Sequence, residues 1–329
     1  MWLQQQWYKA YLNPLLLVLF PLHWLFVVVS SIRTRMGIRS SRTRQSPVPI
    51  WVVGNLTVGG AGKTPTTLSL VKWLRQRHIK VGIVTRGYGG TGPFPCLVQP
   101  DSAVEVVGDE PLLLAKQTQV PMAAAPNRQQ AVELLCQQHP DLQLILSDDG
   151  LQHYALPRQL EIVVVDGERG FGNGWRLPIG PLREPLSRLK RSEIVVQNGN
   201  SESPLVAEAM LFQLRPCGWY RVSDGQAVDA PQYIDLACAG IAHPQRFFNT
   251  LKNLGYQDFS QREFADHHSF KAADFAAVDP DQCVVMTEKD ADKCAGFAKE
   301  NWYYLRVEAD FPEQFWQHIE RQLHRAKIV

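Results

Sequence analysis

The chain has 329 residues, 45% of them apolar, with a formal net charge of +2 at pH 7, which is enough apolar material for a sizeable core shared between two domains. Its six cysteines, at 96, 136, 217, 238, 283 and 294, show no C-x-x-C spacing and no pairing with His at metal-ligand intervals. That argues against a disulfide or thiolate-metal framework and for reduced thiols in a cytoplasmic protein. The near-neutral charge hides an asymmetry: no Asp or Glu precedes Asp101, while Lys9, Arg33, Arg35, Arg39, Arg42, Arg44, Lys63, Lys72, Arg75, Arg77, Lys80 and Arg86 do. The front of the protein therefore carries a positive field suited to an anionic surface or a phosphorylated substrate. Nucleic acid is disfavoured, because the basic cluster abuts an apolar segment and lacks interleaved aromatics.

Leu12 to Ile32 is almost wholly apolar. As a helix rising about 1.5 Å per residue it would extend roughly 30 Å, near the thickness of a bilayer core. Pro21, His23 and Ser30-Ser31 weaken a spanning assignment, and apolar residues on every face argue against a simple surface-lying helix. A secretory signal does not fit, since the basic cluster comes after the apolar run and no small-residue cleavage site appears. Arg33 to Arg44 would meet anionic headgroups, and the positive-inside rule keeps the rest of the chain cytoplasmic. A core helix of a soluble fold is the competing interpretation.

Next comes the buried-strand run Ile50-Trp51-Val52-Val53 and then Asn55-Leu56-Thr57-Val58-Gly59-Gly60-Ala61-Gly62-Lys63-Thr64-Pro65. A strand, a glycine-rich turn and a helix start form a phosphate cradle: backbone N–H groups converge on phosphate oxygens and the helix adds its positive end. Lys63 would reach the β- and γ-phosphates and Thr64 would place its hydroxyl on Mg²⁺. Thr57 stands where the Walker A pattern has its first glycine, so the loop is a variant.

Thr66 to His78 has helical character and Lys80 to Thr85 is the next strand, ending at Arg86-Gly87-Tyr88-Gly89-Gly90. Ligands of open α/β sheets bind at the carboxyl ends of strands, which makes Arg86 a candidate for phosphate or substrate contact. Gly108-Asp109-Glu110-Pro111 precedes a short helix, where acids favour the positive end of the helix dipole; spacing alone gives Asp109 no catalytic role. Val120 to Ala124 and Leu142 to Leu146 are strands flanking a helix over Gln129 to Gln138. The second strand ends in Ser147-Asp148-Asp149-Gly150-Leu151-Gln152-His153, the Walker B arrangement of carboxylates at a strand tip that hold Mg²⁺ directly or through water. Glu161 to Asp166 is a further strand. The loop Gly167 to Gly174, running on to Leu177-Pro178-Ile179-Gly180-Pro181-Leu182-Arg183-Glu184-Pro185, is expected to shape the substrate side of the cleft. Ile194 to Gln197 closes the first sheet.

The expected fold is a P-loop NTPase-like, doubly wound, mainly parallel α/β domain over 46–209, after an apolar helix with a basic flank over 1–45. Met210 to Leu214 and Trp219 to Val222 suggest two short strands around Pro216-Cys217-Gly218, a two-stranded linker over 210–232. A second, smaller α/β domain covers 233–329: strand to Ala239, helix Pro244 to Leu254, strand near Asp258 to Phe264, helix Ala272 to Ala277, strands Cys283 to Thr287 and Tyr303 to Val307. A final helix, Pro312 to Arg325, could pack back on the first domain. His267 could handle a proton, although an exposed or structurally bonded histidine is the commoner fate.

The ordered set N-L-T-V-G-G-A-G-K-T-P, R-G-Y-G, G-D-E-P, D-D-G-L-Q-H, L-P-x-G-P-L-R-E-P, A-D-H-H and M-T-E-K-D resembles the tetraacyldisaccharide 4′-kinases, the lipid A 4′-kinases of Gram-negative bacteria, over nearly the whole chain. The resemblance implies ATP- and Mg²⁺-dependent transfer of the γ-phosphate to the 4′-hydroxyl of a tetraacylated disaccharide 1-phosphate, giving lipid IVA at the cytoplasmic face of the inner membrane. It implies Asp109 and His267 as the catalytic pair, with His268 the adjacent alternative. Thr57, Gly59, Gly60, Ala61, Gly62, Lys63, Thr64 and Pro65 would bind nucleotide. Thr64, Asp148, Asp149 and Glu184 would lie at or near the metal, with Arg183, and Arg86 from the strand end, on phosphate or substrate. A monomer on the membrane surface is expected. The alternatives are a membrane-associated partitioning ATPase, which would carry a lysine early in the loop where this chain has Val58, and a degenerate nucleotide fold serving as a membrane scaffold, which the presence of Lys63, Thr64 and Asp148 disfavours.

Overall fold

A computed structural model describes residues 2–9, 11–199 and 204–328. It divides into two compact units, Met1–Leu214 with Ala309–Val329, and Arg215–Glu308. The chain thus passes between them twice, and the terminal helix, Glu313–Arg325, belongs to the first.

The chain starts with the short helix α1 (Trp2–Trp7), a 3₁₀ turn (Pro14–Leu19) and the long helix α2 (Phe20–Arg42). Asn13 caps the 3₁₀ turn by accepting the Leu15 N–H, and Pro14 comes next, where its missing N–H costs nothing. Two expectations change here. The basic residues Arg33 to Arg42 belong to the same helix as the apolar run. Nor are the helix faces equivalent. Leu16, Phe20 and His23, and further along Thr34, Gly37 and Ser41, follow three- and four-residue spacing on the buried or half-buried side, whereas Leu17, Val18, Leu22, Trp24, Leu25, Val28, Val29, Ile32 and Met36 are exposed. Leu16 and Phe20 dock apolar side chains near the start of this stripe, and toward the end of α2 it becomes small and polar. His23 Nδ1 lies 3.0 Å from the carbonyl of Arg176, and Phe20 and His23 pack on Trp175.

The first unit's sheet contains β1 (Ile50–Gly54), β2 (Val81–Thr85), β3 (Cys96–Leu97), β4 (Met122–Ala124), β5 (Leu144–Asp148), β6 (Leu160–Asp166), β7 (Ile194–Asn198) and the start of β8 (Met210–Arg221). Their order is β8-β7-β6-β1-β5-β2-β4-β3, parallel except for β3. β1, β2, β4, β5 and β6 are buried along their whole length, as strands covered on both faces must be. The register pairs Val53 with Asp148, so the glycine loop leaving β1 and the acids leaving β5 emerge at one edge. One face is covered by α3 (Lys63–Gln76), α5 (Asp109–Thr118) and the terminal helix, after the single turn α4 (Val104–Val107); α6 (Arg128–Gln138) covers the other. Phe315, Ile319 and Leu323 of the terminal helix are fully buried, and Trp316 stacks on Trp73 at 5.2 Å. Burying each such side chain is worth about 1.5–3 kcal/mol.

The second unit has a smaller parallel sheet, β10 (Leu236–Ala239), β11 (Ser260–Glu263), β12 (Val284–Thr287) and β13 (Trp302–Asp310), in the order β11-β10-β12-β13, while β9 (Ala227–Val228) pairs antiparallel with the end of β8. Leu236 and Cys238 face the cluster of Phe270, Phe275 and Trp302; Ala237 and Ala239 face Phe247, Phe248 and Leu251 of α7 (Pro244–Asn253). The two short strands expected around Pro216 are the single strand β8, because the φ that proline fixes is compatible with extended backbone. The expected helix at 272–277 is a four-residue 3₁₀ turn, Ala272–Phe275, and Glu288–Cys294 forms a helix, α8, that no apolar periodicity announces.

Candidate phosphate and catalytic site

Gly62 closes the loop between β1 and α3 with φ of +101°, a left-handed conformation that a side chain would strain, and a Cβ there would come within 2.9 Å of Asn198 Nδ2. Asn198, buried at the tip of β7, donates to the carbonyl of Ala61, and Asn55 Nδ2 donates to that of Gly59. The loop is thus braced from two sides with its glycines free to present N–H groups. Thr57 forms an antiparallel bridge with Leu182, Val58 N–H donates to Pro181 O at 2.9 Å and Arg183 N–H to Leu56 O at 2.7 Å. Extended backbone at this position suits threonine, which explains the departure from the glycine pattern. The same pairing carries Arg183 and Glu184 to the cradle.

Lys63 Nζ lies 3.5 Å from Asp149 Oδ1 and 3.4 Å from Asn55 Oδ1; Arg183 Nη1 lies 3.5 Å from Asp149 Oδ2. Asp149 occupies a left-handed conformation, φ +46°, and its Oδ1 is buried without a hydrogen-bond donor. Burial favours the protonated form of Asp149, but Lys63, Arg183 and Arg128 outweigh it and hold the carboxyl below its ordinary range. Asp148 behaves oppositely. Fully enclosed, accepting from Thr67 Oγ1 at 2.8 Å, it is pushed up to about 6 by burial and then by Glu110 and Asp149. Among the described residues no group of three or more His, Cys, Asp or Glu clusters as a ready metal cage. Mg²⁺ takes most of its ligands from water and nucleotide phosphates and needs only one or two carboxylates, so Asp149 could serve it without such a cage.

Asp109 belongs to the same unit and borders the turn that leaves β2. It is the first residue of α5, after Gly108 at φ +93° against the backbone of Tyr88. A Cβ on Gly89 would lie 4.0 Å from Asp109 Oδ1, so the Arg86-Gly-Tyr-Gly turn flanks it. Arg86 also acts electrostatically on Arg128. In the second unit His267 takes φ of +62°, with Lys289 Nζ 3.3 Å from its Nε2. His268 instead pairs with Asp274 at 3.1 Å and stacks on Phe264. The glycine loop 167–174 lies against α1: Trp7 Nε1 donates to Pro178 O and Asn173 N–H donates to Trp7 O.

Some participants are invisible in the sequence. Arg128, 2% exposed, donates to the carbonyls of Ala125, Asp148 and Asp149 and so clamps the tips of β4 and β5; burial lowers it to about 10. Its position at a helix start gives no signal. Glu184, expected near the metal, is 5% exposed, with Oε1 accepting from Gln152 Nε2 at 2.9 Å and Oε2 from the Tyr154 hydroxyl, and Arg188 Nε 3.4 Å away.

A glycine-rich turn between a buried parallel strand and a helix, its lysine facing an acid from the neighbouring strand tip, defines a P-loop nucleotide-binding protein. Residues 15–324 match the model of the tetraacyldisaccharide-1-P 4′-kinase family, LpxK. The chain is 44% identical over 329 residues to a tetraacyldisaccharide 4′-kinase of Idiomarina loihiensis, covering 99% of each, and 46% identical over 309 residues to that of Pasteurella multocida, covering 93% of this chain and 94% of the other. A solved structure of LpxK from Aquifex aeolicus in complex with ATP matches with a TM-score of 0.76 and 26% identity, over 95% of this chain and 99% of that one. This chain belongs to the tetraacyldisaccharide 4′-kinase family.

Proposed function

We propose that this ATP-dependent kinase phosphorylates the 4′-hydroxyl of a tetraacylated glucosamine disaccharide 1-phosphate by in-line transfer, with Asp109 as the base. Asp109 takes the hydroxyl proton; a bond forms from the 4′-oxygen to the γ-phosphorus as the bond to the β–γ bridging oxygen breaks, and ADP leaves. Lys63 and Arg183 counter charge on the transferring group, Arg86 meets substrate, and the loop from Thr57 to Pro65 holds the nucleotide. Thr64 and Asp149 would hold Mg²⁺, with Asp148 behind them, and the bound ion would supply charge neutralisation for the nucleotide phosphates. His267 tunes Asp109 rather than His268, which Asp274 and Phe264 already engage.

The observation that carries the reading is the meeting of Lys63, Asp149 and Arg183 at one strand edge that also carries the Asp109 turn. Work at the cytoplasmic face of the inner membrane is supported by the 29-residue segment Pro14–Arg42, whose most apolar window is 11% buried, since a four-chain lipid will not leave the bilayer. Purified protein in detergent, given γ-labelled ATP and Mg²⁺ with and without the tetraacyl disaccharide 1-phosphate, is expected to label the lipid. Lipid-stimulated ATP hydrolysis without labelled lipid would indicate the membrane-associated ATPase instead.

A further inference from the structure

A continuous polar chain leads away from the phosphate site. Arg183 Nη1, which faces Asp149, also donates to Gln152 Oε1 at 3.2 Å; Gln152 Nε2 donates to Asn55 O at 3.0 Å and to Glu184 Oε1 at 2.9 Å; the Tyr154 hydroxyl donates to Glu184 Oε2. The direction of each bond is fixed. A carboxylate only accepts, so Glu184 forces Gln152 to turn its NH₂ inward, and the amide oxygen must then face Arg183. A flipped amide would set oxygen against carboxylate and NH₂ against guanidinium.

Tyr154 anchors the far end. Burial and the Glu184 carboxylate push its hydroxyl up to about 12, so it stays a donor at neutral pH. Arg158 and Arg188 lie 5.6 and 5.7 Å from its ring centroid, and Arg188 Nε is 3.3 Å from its oxygen. Against its backbone sits α2: a Cβ on Gly37 would come within 2.6 Å of Tyr154 Cβ and 3.1 Å of Ala155 N, so the apolar helix packs there at a distance no side chain allows.

We propose that Tyr154 is a positioning residue for phosphoryl transfer, acting through Glu184 and Gln152 to fix the Arg183 guanidinium, and that α2 sets Tyr154 through the Gly37 contact. Glu184 is then an orienting group and not a metal ligand. The inference rests on Arg183 serving the transferred phosphate.

The test compares full-length Tyr154→Phe, Gly37→Ala, Arg183→Ala and the Tyr154→Phe/Arg183→Ala double variant in detergent, measuring kcat, both KM values, Mg²⁺ half-saturation, binding of a fluorescent ATP analogue, and thermal midpoint. Misplacing a charge-stabilising group by about 1 Å can cost on the order of 10²-fold. Tyr154→Phe is therefore expected to lower kcat about 10- to 100-fold, leaving both KM values, Mg²⁺ half-saturation and analogue binding within about twofold and the melting midpoint nearly unmoved. Gly37→Ala should act in the same direction more weakly, and the double variant should match Arg183→Ala alone, because residues in one network are not additive. Unchanged kcat with a lowered midpoint, a raised Mg²⁺ requirement, or multiplicative losses in the double variant would each overturn the positioning role. If Arg183→Ala itself left kcat intact, the role of Arg183 beneath the inference would be what failed.

Discussion

The two units use similar parallel α/β sheets differently. In the first, Lys63 after β1 and Asp149 after β5 face each other at 3.5 Å beside the glycine loop. In the second, the tips of β10 and β12 meet at Asp290, whose Oδ2 accepts the Gly240 N–H at 2.8 Å and the Thr287 hydroxyl at 2.6 Å. There the acid at the strand edge holds its own backbone, with Thr287 capping α8. A parallel sheet supplies an edge where ligands can bind; the first unit's edge carries the glycine loop and its lysine, while the second's carries backbone contacts and a helix cap.

Asp109→Ala should have the largest effect on this contrast. As the base it is expected to cost about 10³-fold in kcat while ATP-analogue affinity stays near that of the unsubstituted protein. Loss of nucleotide binding instead would make Asp109 part of the cradle and remove the base from the first unit.

The second unit's share is tested by its neighbouring histidines. His267→Ala is expected to lower kcat by about 10²-fold with little change in melting midpoint. His268→Ala, which removes the partner of Asp274 and the stack on Phe264, should lower the midpoint and spare kcat. The reverse pattern would exchange their roles.

The smallest effects separate buried from exposed groups. Burial, with Asp235 beside Cys283 and Asp290 beside Cys294, pushes both thiols up to about 12, and burial does the same to Tyr304. Each acid keeps its proton longer folded than unfolded, so the stability it contributes is complete below about pH 9 and declines as pH rises toward 12. Melting midpoints should hold up to about pH 9 and fall progressively from there to pH 11. Brief alkylation of the native protein at pH 8 should modify exposed Cys217 and spare Cys238, Cys283 and Cys294, as mass spectrometry of digests would register.

Much of the nucleotide site is legible in the sequence because it is local. The strand–glycine–lysine succession is written in consecutive residues, and so is the acid pair after Leu144–Leu146. Asp109 is legible only through the family motif, since an acid opening a helix is ordinary cap chemistry. Tyr154, Asn198 and Arg128 give no signal, because each matters through partners far along the chain: Asn198 meets Ala61, and Tyr154 meets Glu184. The apolar helix misleads for the same reason. Composition shows apolar residues all round, but Gly37, Thr34 and Ser41 form an inward stripe only when there is a surface to dock on.

By itself, then, the sequence determined the periodicities that make strands and helices, the glycines that permit the phosphate turn, and the family, since all are properties of short stretches in a fixed order. The tertiary structure alone decided that Thr57 pairs with Leu182, that Glu184 turns to Gln152 and Tyr154, and that the final helix completes the first core. Those outcomes depend on which distant groups are brought within hydrogen-bonding or van der Waals reach, and no local propensity encodes that distance.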